Sequence, residues 1–570
     1  MGGPAAPKDP EKKRAGFYIM KEKEIFGSRK KDGKGMQCIP ENNGRLVSSA
    51  KITGNISDEK ILKSLEQTQS FRRLVHSIGV CVESEVPEET IEFTFQMYGR
   101  KDIYGGGTKI SLSVKGDGME QNAGLSDMVW SDDDSEPGQI SFTFPTSGHR
   151  AKASVKLYVQ EGFSVPQEQK EEEADLTGRD AENMISRSLL WKGNPAPMKK
   201  AIEKTKRGED VTLAFIGGSI TQGAGAVPVH TECYAWKTCC AFAKRFGTGN
   251  NVHYLKAGVG GTPSELGMIR FERDILRGNE KPDIVVIEFA VNDEGDETKG
   301  VCYESLVRKV LGLPWHPAVI LLFSVFADDW NLQERLCPVG YYYNIPMVSV
   351  RDAVTGQFGL KKPEGRVVSK NQFFYDMYHP SNIGHSIMAG CLDYLFEETD
   401  KIEDESGHKE EQGINMQSLI GGDFENVRLL DRKETYPKAE IICGSFYHKD
   451  EDLQCVEMDT DIEGTPQFPN NWQYDGTQEL KINTPFTLSI NCSRLLLIFK
   501  DAGETETGRA EVYVDGKHVL TADPLKNGWI HCNTVILFSE NRTRQHTVEI
   551  LPAIGDEKKK FTILGFGYVV

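Results

Sequence analysis

The sequence predicts a multidomain protein: a central α/β unit on a mostly parallel sheet, flanked on each side by a jelly-roll-like β-sandwich. Three observations carry this expectation. A chain of 570 residues is too long for one hydrophobic core. Two acidic, apolar-poor stretches divide it into three blocks: QEQKEEEADLTGRD, from Gln167 to Asp180, and EETDKIEDESGHKEEQG, from Glu397 to Gly413. The apolar pattern also changes between blocks, with period two in the outer ones and continuous runs in the middle one. The expected boundaries are a leader without structure at 1–35, a sandwich at 36–166, a linker at 167–182, the α/β unit at 183–400, a linker at 401–415, and a second sandwich at 416–570.

In the first block, TIEFTFQMYGR (90–100), TKISLSVKGDG (108–118), QISFTFPT (139–146) and KASVKLYV (152–159) alternate apolar with polar residues and are separated by turn residues. That is the pattern of antiparallel strands with one face buried. In the middle block, VTLAFIGGS, VHYLKAG, DIVVIEFAVND, AVILLFSV and YYYNIPMVSV read as buried parallel strands. Helical stretches such as YAWKTCCAFAKRFG, ELGMIRFERDILRG and YESLVRKVLGL lie between them. In the last block, RLLLIFKD, AEVYVDGKHVL with an Asp515-Gly516 hairpin turn, HTVEILP and FTILGFGYVV return to the sandwich pattern.

Composition excludes several classes of function. A formal net charge of −17 repels phosphate backbones and anionic lipid, so neither nucleic acid nor membrane is an expected partner, whereas a neutral sugar is not repelled. No stretch approaches the ~20 apolar residues of a membrane helix. The twelve cysteines are scattered without a CxxC pair, which argues against a zinc ribbon or a disulfide scaffold and for free thiols in cores. The N-terminus, MGGPAAPKDPEKKRAGFYIM, has no apolar signal segment. Together with the thiols this points to the cytoplasm, and a processed export signal would instead mean secretion. Without such a signal, the glycosylation-like Asn491-Cys-Ser and Asn541-Arg-Thr carry no weight.

In a parallel α/β sheet, ligands bind beyond the carboxyl ends of the strands. Ser219, Gly261 and Asn292 each follow a predicted strand, which places them on one edge. Ser219 alone, in IGGSIT, fits any glycine-rich turn, and the Gly-Lys-Ser/Thr of a phosphate-binding loop is missing. A serine nucleophile needs a base, an orienting group and oxyanion donors. YDMYHPSNIGH places Asp376 three residues before His379; a compact turn there lets Asp376 fix one imidazole nitrogen while the other faces Ser219. Ser381 reads as the N-cap of the following helix. His379 paired with His385 as metal ligands is the alternative, but no third ligand lies nearby, and neither metal nor cofactor is expected. Asn292 is either a cap or turn residue or an amide donor. Gly260 and Gly261 either permit a tight turn or open the Gly261 N–H to a substrate oxygen; with Ser219 N–H and Asn292 that would make a three-donor oxyanion hole.

The ordered set IGGSIT, KAGVGGT, FAVND and DMYHP resembles the four sequence blocks of the SGNH (GDSL-like) hydrolase superfamily over about residues 183 to 400. The resemblance implies a flavodoxin-like α/β fold with Ser219 as nucleophile, His379 as base, Asp376 as its orienter, and Gly261 and Asn292 as oxyanion donors. Two positions depart from the pattern. Gly218 stands where the GDSL form has an acid, as in carbohydrate-esterase branches, and Lys256 replaces the asparagine that opens the second block. The helix leading into the first strand and the flanking sandwiches also resemble bacterial SGNH sugar deacetylases.

The expected activity is therefore carbohydrate acetylesterase, with O-acetylated plant cell-wall polysaccharide or oligosaccharide of xylan or mannan type as substrate. A broad carboxylester hydrolase or thioesterase, and a carbohydrate-binding protein with a decayed hydrolase centre, are the competing readings. Phe446, Tyr447, Trp472, Tyr474 and Trp529 are candidate sugar-stacking residues, although most aromatics of a sandwich belong to its core. Trp472 and Tyr474, in the Gly/Pro/Asn-rich GTPQFPNNWQYDG, are expected in a loop and are preferred as the substrate-binding pair. Oligomeric state is not legible.

Overall fold

The computed structural model describes residues 14–27, 34–38, 59–101, 105–166, 173–360, 362–403, 416–461, 464–478, 484–502, 506–527 and 529–570. Most of the expected leader and the centres of both expected linkers lie outside the described residues.

Among the described residues, eight strands form the N-terminal part: β1 (Gly16–Phe26), β2 (Lys34–Cys38), β3 (Val75–Ser84), β4 (Thr90–Gly99), β5 (Lys109–Lys115), β6 (Gln121–Gly124), β7 (Asp134–Thr143) and β8 (Arg150–Val159). They make two antiparallel four-stranded sheets, ordered β1-β8-β3-β6 and β2-β7-β4-β5. Alternate residues of facing strands (Ile78 and Val80, Phe93 and Phe95, Val155 and Leu157) fill the space between them and are buried. This is the one-face-in pattern read from the sequence. One correction concerns the leader. Residues 16–26 are a strand paired antiparallel with β8, and Phe17, Ile19, Met20 and Ile25 are buried in the sandwich core. The lysines and glutamates between these apolar residues hide the strand in the sequence.

The central sheet comprises β9 (Leu189–Trp191), β10 (Val211–Gly217), β11 (Val252–Gly258), β12 (Ile284–Glu288), β13 (Ala318–Phe323) and β14 (Met347–Ser349), in the order β11-β10-β12-β13-β14-β9. Five of these strands are parallel; only β9 runs against β14. Every residue of β12 and β13 is buried, as expected of a sheet covered on both faces. Helices Ala196–Lys206, Tyr234–Phe246, Ser264–Phe271, Val301–Leu311 and Asn382–Asp400 supply the cover. The predicted strand YYYNIPMVSV is shorter than its apolar run. Tyr341 and Tyr342 end helix Gln333–Tyr342, and the strand begins only at Met347, after Pro346.

The C-terminal part comprises β15 (Arg428–Leu430), β16 (Ala439–Ile442), β17 (Cys455–Val456), β18 (Thr465–Pro466), β19 (Trp472–Asp475), β20 (Phe486–Asp501), β21 (Ala510–Val514), β22 (Lys517–Ala522), β23 (His531–Pro552) and β24 (Lys560–Val569). β20 and β23 are long enough to serve both layers of a sandwich. They pair with each other along both halves; the first half of β20 also pairs with β16 and its second half with β24, while the last half of β23 pairs with β21. Register shifts near Cys492 and Leu495 mark the crossing. The chain is thus an α/β unit flanked by two antiparallel β-sandwiches. Among the described residues, no helix is long and apolar enough to cross a membrane.

Candidate active site

Four strand ends and one turn build the site. β10 ends at Gly217, and Ser219 opens the one-turn helix Ser219–Gln222. β11 ends at Gly258 and runs into Gly260 and Gly261. β12 ends at Glu288, four residues before Asn292, and β13 ends one residue before Ser324. The parallel register brings these ends to one edge, with Gly217 opposite both Gly258 and Glu288. Fully buried Arg270 clamps two of them, donating to the carbonyls of Ala257 and Gly217 at 2.7 and 2.8 Å.

The fifth piece is the turn from Phe374 to Pro380. A bridge between its two ends and a 2.8 Å bond from Tyr375 N–H to the His379 carbonyl close it. Inside it, Asp376 Oδ1 accepts the N–H groups of Tyr378 and His379, each at 2.8 Å, and Oδ2 lies 2.8 Å from His379 Nδ1. Burial would raise the Asp376 pKa, but the imidazole and the two N–H groups outweigh it and hold the carboxyl below its ordinary value. The other imidazole nitrogen, Nε2, lies 3.0 Å from Ser219 Oγ. A carboxylate that accepts from Nδ1 leaves Nε2 free to accept the serine proton, which is the chain of bonds a serine nucleophile requires.

His385 is not part of this chain. Its Nδ1 accepts Tyr234 N–H at 3.2 Å and its Nε2 donates to the Ala224 carbonyl at 3.1 Å, so both nitrogens are committed to backbone. Burial lowers its pKa to about 3, so the ring is neutral and braces the turn after Ser219. Ser381 caps helix Asn382–Asp400, accepting Gly384 N–H.

Asn292 lies against Gly218. A side chain at Gly218 would place its Cβ 2.1 Å from Asn292 Oδ1, so the acid of the GDSL form has no room here. That oxygen is buried and, among the described residues, has no hydrogen-bond partner, which leaves a desolvation cost that no bond offsets. Asp293 ties the Asn292 loop to the helix after Gly261, accepting Ser264 N–H at 2.8 Å and Ser264 Oγ–H at 2.9 Å. The N–H groups of Ser219 and Gly261 donate to no protein acceptor among the described residues. Both are available to a ligand oxygen.

Glu288 is a site residue that sequence reasoning missed. Fully buried, it accepts from Thr221 Oγ1 at 3.1 Å, from Ser324 Oγ and from Gly218 N–H. Burial raises its pKa to about 7, against the pull of these donors and of His379. An acid absent from position 218 is therefore present beneath it. Its only sequence signal was an acid at the end of an apolar strand.

The C-terminal sandwich also reaches the site. Gly261 has φ +72°, and a Cβ there would sit 2.7 Å from the indole of Trp529. Trp529 is 41% exposed and lies against Gly261. On the other side Tyr378, also 41% exposed, stands beside His379 and packs on Phe326. Trp472 and Tyr474, expected in a loop, are corrected. They lie on β19, paired with β24, and are 4% and 1% exposed in the sandwich core. The turn residues around them begin and end a short strand rather than form an open loop. Phe446 is buried with them, while Tyr447 is exposed.

Glu265, Asp296 and Cys302 are buried with ligand-type atoms within 4.8 Å of one another. Asp296 accepts the N–H groups of Thr298 and Gly300, and Glu265 that of Glu297. Burial and the neighbouring Asp296 push Glu265 up to about 9, so it is protonated at neutral pH. The group staples the loop after Asn292.

No family model and no curated protein matches the chain. Solved structures do. A two-domain esterase, CEX, active on acetylated mannans and crystallised with mannopentaose, is 23% identical over 68% of this chain and 98% of its own, with a TM-score of 0.56. LAE5, an alpha/beta hydrolase from the metagenome of Lake Arreo, Spain, is 18% identical over 34% of this chain and 98% of its own, at a TM-score of 0.27. A family two carbohydrate esterase from Clostridium thermocellum is 12% identical over 68% of this chain and 98% of its own, at 0.25. The first likeness is one of fold. It covers two thirds of this chain, in agreement with an α/β unit that carries a further domain.

Proposed function

We propose that this chain is a serine esterase that removes O-acetyl groups from cell-wall oligosaccharides or polysaccharides of mannan or xylan type. The observation that carries the reading is the bonded series Ser219 Oγ, His379 Nε2, His379 Nδ1 and Asp376 Oδ2, at 3.0 and 2.8 Å, on the ligand-binding edge of a parallel sheet. Two free N–H groups and a buried asparagine beside the serine supply the setting for an oxyanion.

Ser219 Oγ attacks the acetyl carbonyl carbon while its proton passes to His379 Nε2. The carbonyl oxygen, now negative, is held by Ser219 N–H, Gly261 N–H and the Asn292 amide. As the intermediate collapses, His379 gives that proton to the departing sugar oxygen, leaving acetyl-Ser219. Water then attacks the acyl carbon, its proton goes to His379, and acetate leaves as Ser219 Oγ recovers a proton. Asp376 keeps the imidazole in the tautomer that accepts at Nε2.

The sugar assignment rests on Trp529 and Tyr378, two exposed rings flanking Gly261 and His379. Flat apolar faces with a polar rim suit the C–H faces of a pyranose. The mannan-active esterase of the same fold makes acetylated glucomannan the first substrate to try.

The test compares acetate release from acetylated glucomannan, acetylated xylan and p-nitrophenyl esters of increasing chain length. Activity that rises with acyl length and is absent on both glycans would favour a broad carboxylester hydrolase; absence of acid release from every substrate would favour a binding module. Ser219→Ala should lower turnover by about 10⁶-fold, and Asn292→Ala by ~10²–10³-fold with the fold intact. Full turnover by Asn292→Ala would remove it from the oxyanion site.

A further inference from the structure

The peptides that carry the second oxyanion donor are gripped from the C-terminal sandwich. Gly260 N–H donates to Gln222 Oε1 at 3.1 Å, an interaction within the α/β unit. The Gly260 carbonyl, on the same peptide plane as Gly261 N–H, accepts from Gln454 Nε2 at 2.8 Å. Because the peptide is planar and trans, fixing its oxygen fixes the direction of its N–H. Gln454 is itself held, its Oε1 accepting Cys532 N–H at 3.0 Å.

The next peptide is held in the same way. The Gly261 carbonyl lies 2.9 Å from His531 Nε2. A carbonyl only accepts, so Nε2 carries the proton between them. His531 Nδ1 lies 3.2 Å from Asp501 Oδ2, which also accepts from the Asn527 amide. Gln454, His531 and Asp501 are 5%, 7% and 0% exposed. Trp529 covers the remaining face of Gly261. Gly261, with its left-handed backbone and no side chain, cannot hold this conformation through contacts of its own.

We propose that Gln454 and the His531–Asp501 pair are positioning residues of the oxyanion hole, acting through the Gly260–Gly261–Thr262 backbone rather than on substrate. The proposal rests on the serine-esterase reading and assigns the C-terminal sandwich a part in the chemical step. A donor displaced by about 1 Å costs on the order of 10²-fold in rate, less than the loss of the donor itself.

The experiment uses the full chain and p-nitrophenyl acetate, whose leaving group has no sugar, together with methylboronic acid, which forms a tetrahedral adduct on a nucleophilic serine. Gln454→Glu keeps the side-chain volume and the acceptor for Cys532 but loses the donor to Gly260. His531→Ala removes the grip on Gly261, and His531→Gln supplies an amide donor in its place. Expected is a fall in kcat of about 10–100-fold for Gln454→Glu and His531→Ala, with KM within about threefold and partial recovery in His531→Gln. The boronate Ki should rise in parallel with the loss of kcat/KM. A variant that merely lowers the active fraction reduces kcat and leaves Ki unmoved, so an unchanged Ki overturns the proposal. Unchanged kcat in both Gln454→Glu and His531→Ala overturns it equally. If Ser219→Ala kills turnover while these variants keep both kcat and Ki, this inference alone fails; if Ser219→Ala stays fully active, the esterase reading fails with it.

Discussion

Leu496, Ile498 and Leu564 of the C-terminal sandwich lie in one continuous core with Ile287, Phe289 and Ile269 of the α/β unit. Phe93, Phe142 and Val155 of the N-terminal sandwich lie in a separate core, against which, among the described residues, one α/β side chain packs: Tyr375. The polar contacts follow the same division. Arg277 forms a bidentate pair with Asp459, Arg308 binds Glu425, and Glu304 accepts three successive N–H groups from Leu419, Ile420 and Gly421. Two sandwiches of similar architecture therefore stand in different relations to the α/β unit. One shares its core and holds Gly260 and Gly261; the other touches the Phe374–Pro380 turn from its own core.

The largest expected effect comes from removing each sandwich in turn. Ending the chain after residue 403 strips cover from the α/β core and from Gly260 and Gly261, so the product should be insoluble or lack a cooperative transition, with no turnover of p-nitrophenyl acetate. Removing residues 1–166 should leave a soluble protein with cooperative unfolding and kcat/KM within about tenfold of the full chain. Scanning calorimetry and turnover of both truncations decide the matter. An active C-terminal truncation would break the comparison outright.

Single core substitutions sharpen it. Leu496 is fully buried in the shared core, and Leu496→Ala should destabilise the α/β–C-terminal unit by about 2–5 kcal/mol. Phe93 is fully buried in the N-terminal core, and Phe93→Ala should cost about 3–5 kcal/mol there. Calorimetry should show two transitions, each moved by one substitution only, and only Leu496→Ala should reduce the temperature at which esterase activity is lost. A single transition moved by both would mean that the two cores unfold as one.

The strand ends that build the candidate site were legible because parallel strands are continuous apolar runs that stop at glycine and polar residues. Ser219, Gly261 and Asn292 follow such strand ends, whereas Asp376 and His379 lie in a separate turn between Phe374 and Pro380. What escaped was context set by tertiary packing. Trp472 and Tyr474 stand among turn residues yet belong to a strand, whereas Trp529, in the similar-looking DPLKNGWIH, lies over Gly261. Their local sequences do not separate them; the partner each meets does. Gln454 and His531 lie 194 and 270 residues from the glycines they hold, and a separation of that kind leaves no trace in one sequence. β1 escaped for a different reason: its apolar residues are interleaved with charged ones, and its pairing with β8 spans almost the whole block.

A smaller effect, confined to the catalytic unit, concerns pH. Glu288 has a folded-state pKa of about 7, above the ordinary carboxyl value of 4.5, chiefly because it is buried. Between these values the unfolded chain has released a proton that the native state still holds. Stability from this group is therefore fully present below 4.5 and declines as pH rises through about 7, by ~3 kcal/mol at most. Glu288→Gln should flatten that part of the pH dependence of the α/β–C-terminal transition and leave the N-terminal one unmoved. A wild-type transition that is level from pH 4.5 to 7.5, at constant ionic strength, would remove Glu288 as its source.

The smallest effect tests the weaker attachment. Lys23 Nζ, on β1, lies 5.8 Å from the ring centroid of Tyr375, the residue before Asp376 in the Phe374–Pro380 turn. That is near the outer limit for a cation over a ring, and at a partly exposed site such a contact contributes about 0.5–1 kcal/mol. The turn itself is closed by its own bonds: Phe374 to Pro380, Tyr375 N–H to the His379 carbonyl, and the two N–H groups on Asp376. Its shape is thus largely set within the turn. Lys23→Ala should change kcat/KM on p-nitrophenyl acetate by less than about twofold, against the 10–100-fold expected for His531→Ala. A loss in Lys23→Ala as large as that in His531→Ala would mean that the triad turn is held from the N-terminal side as firmly as the oxyanion loop is held from the C-terminal side. The two sandwiches would then differ in how they are packed but not in what they do.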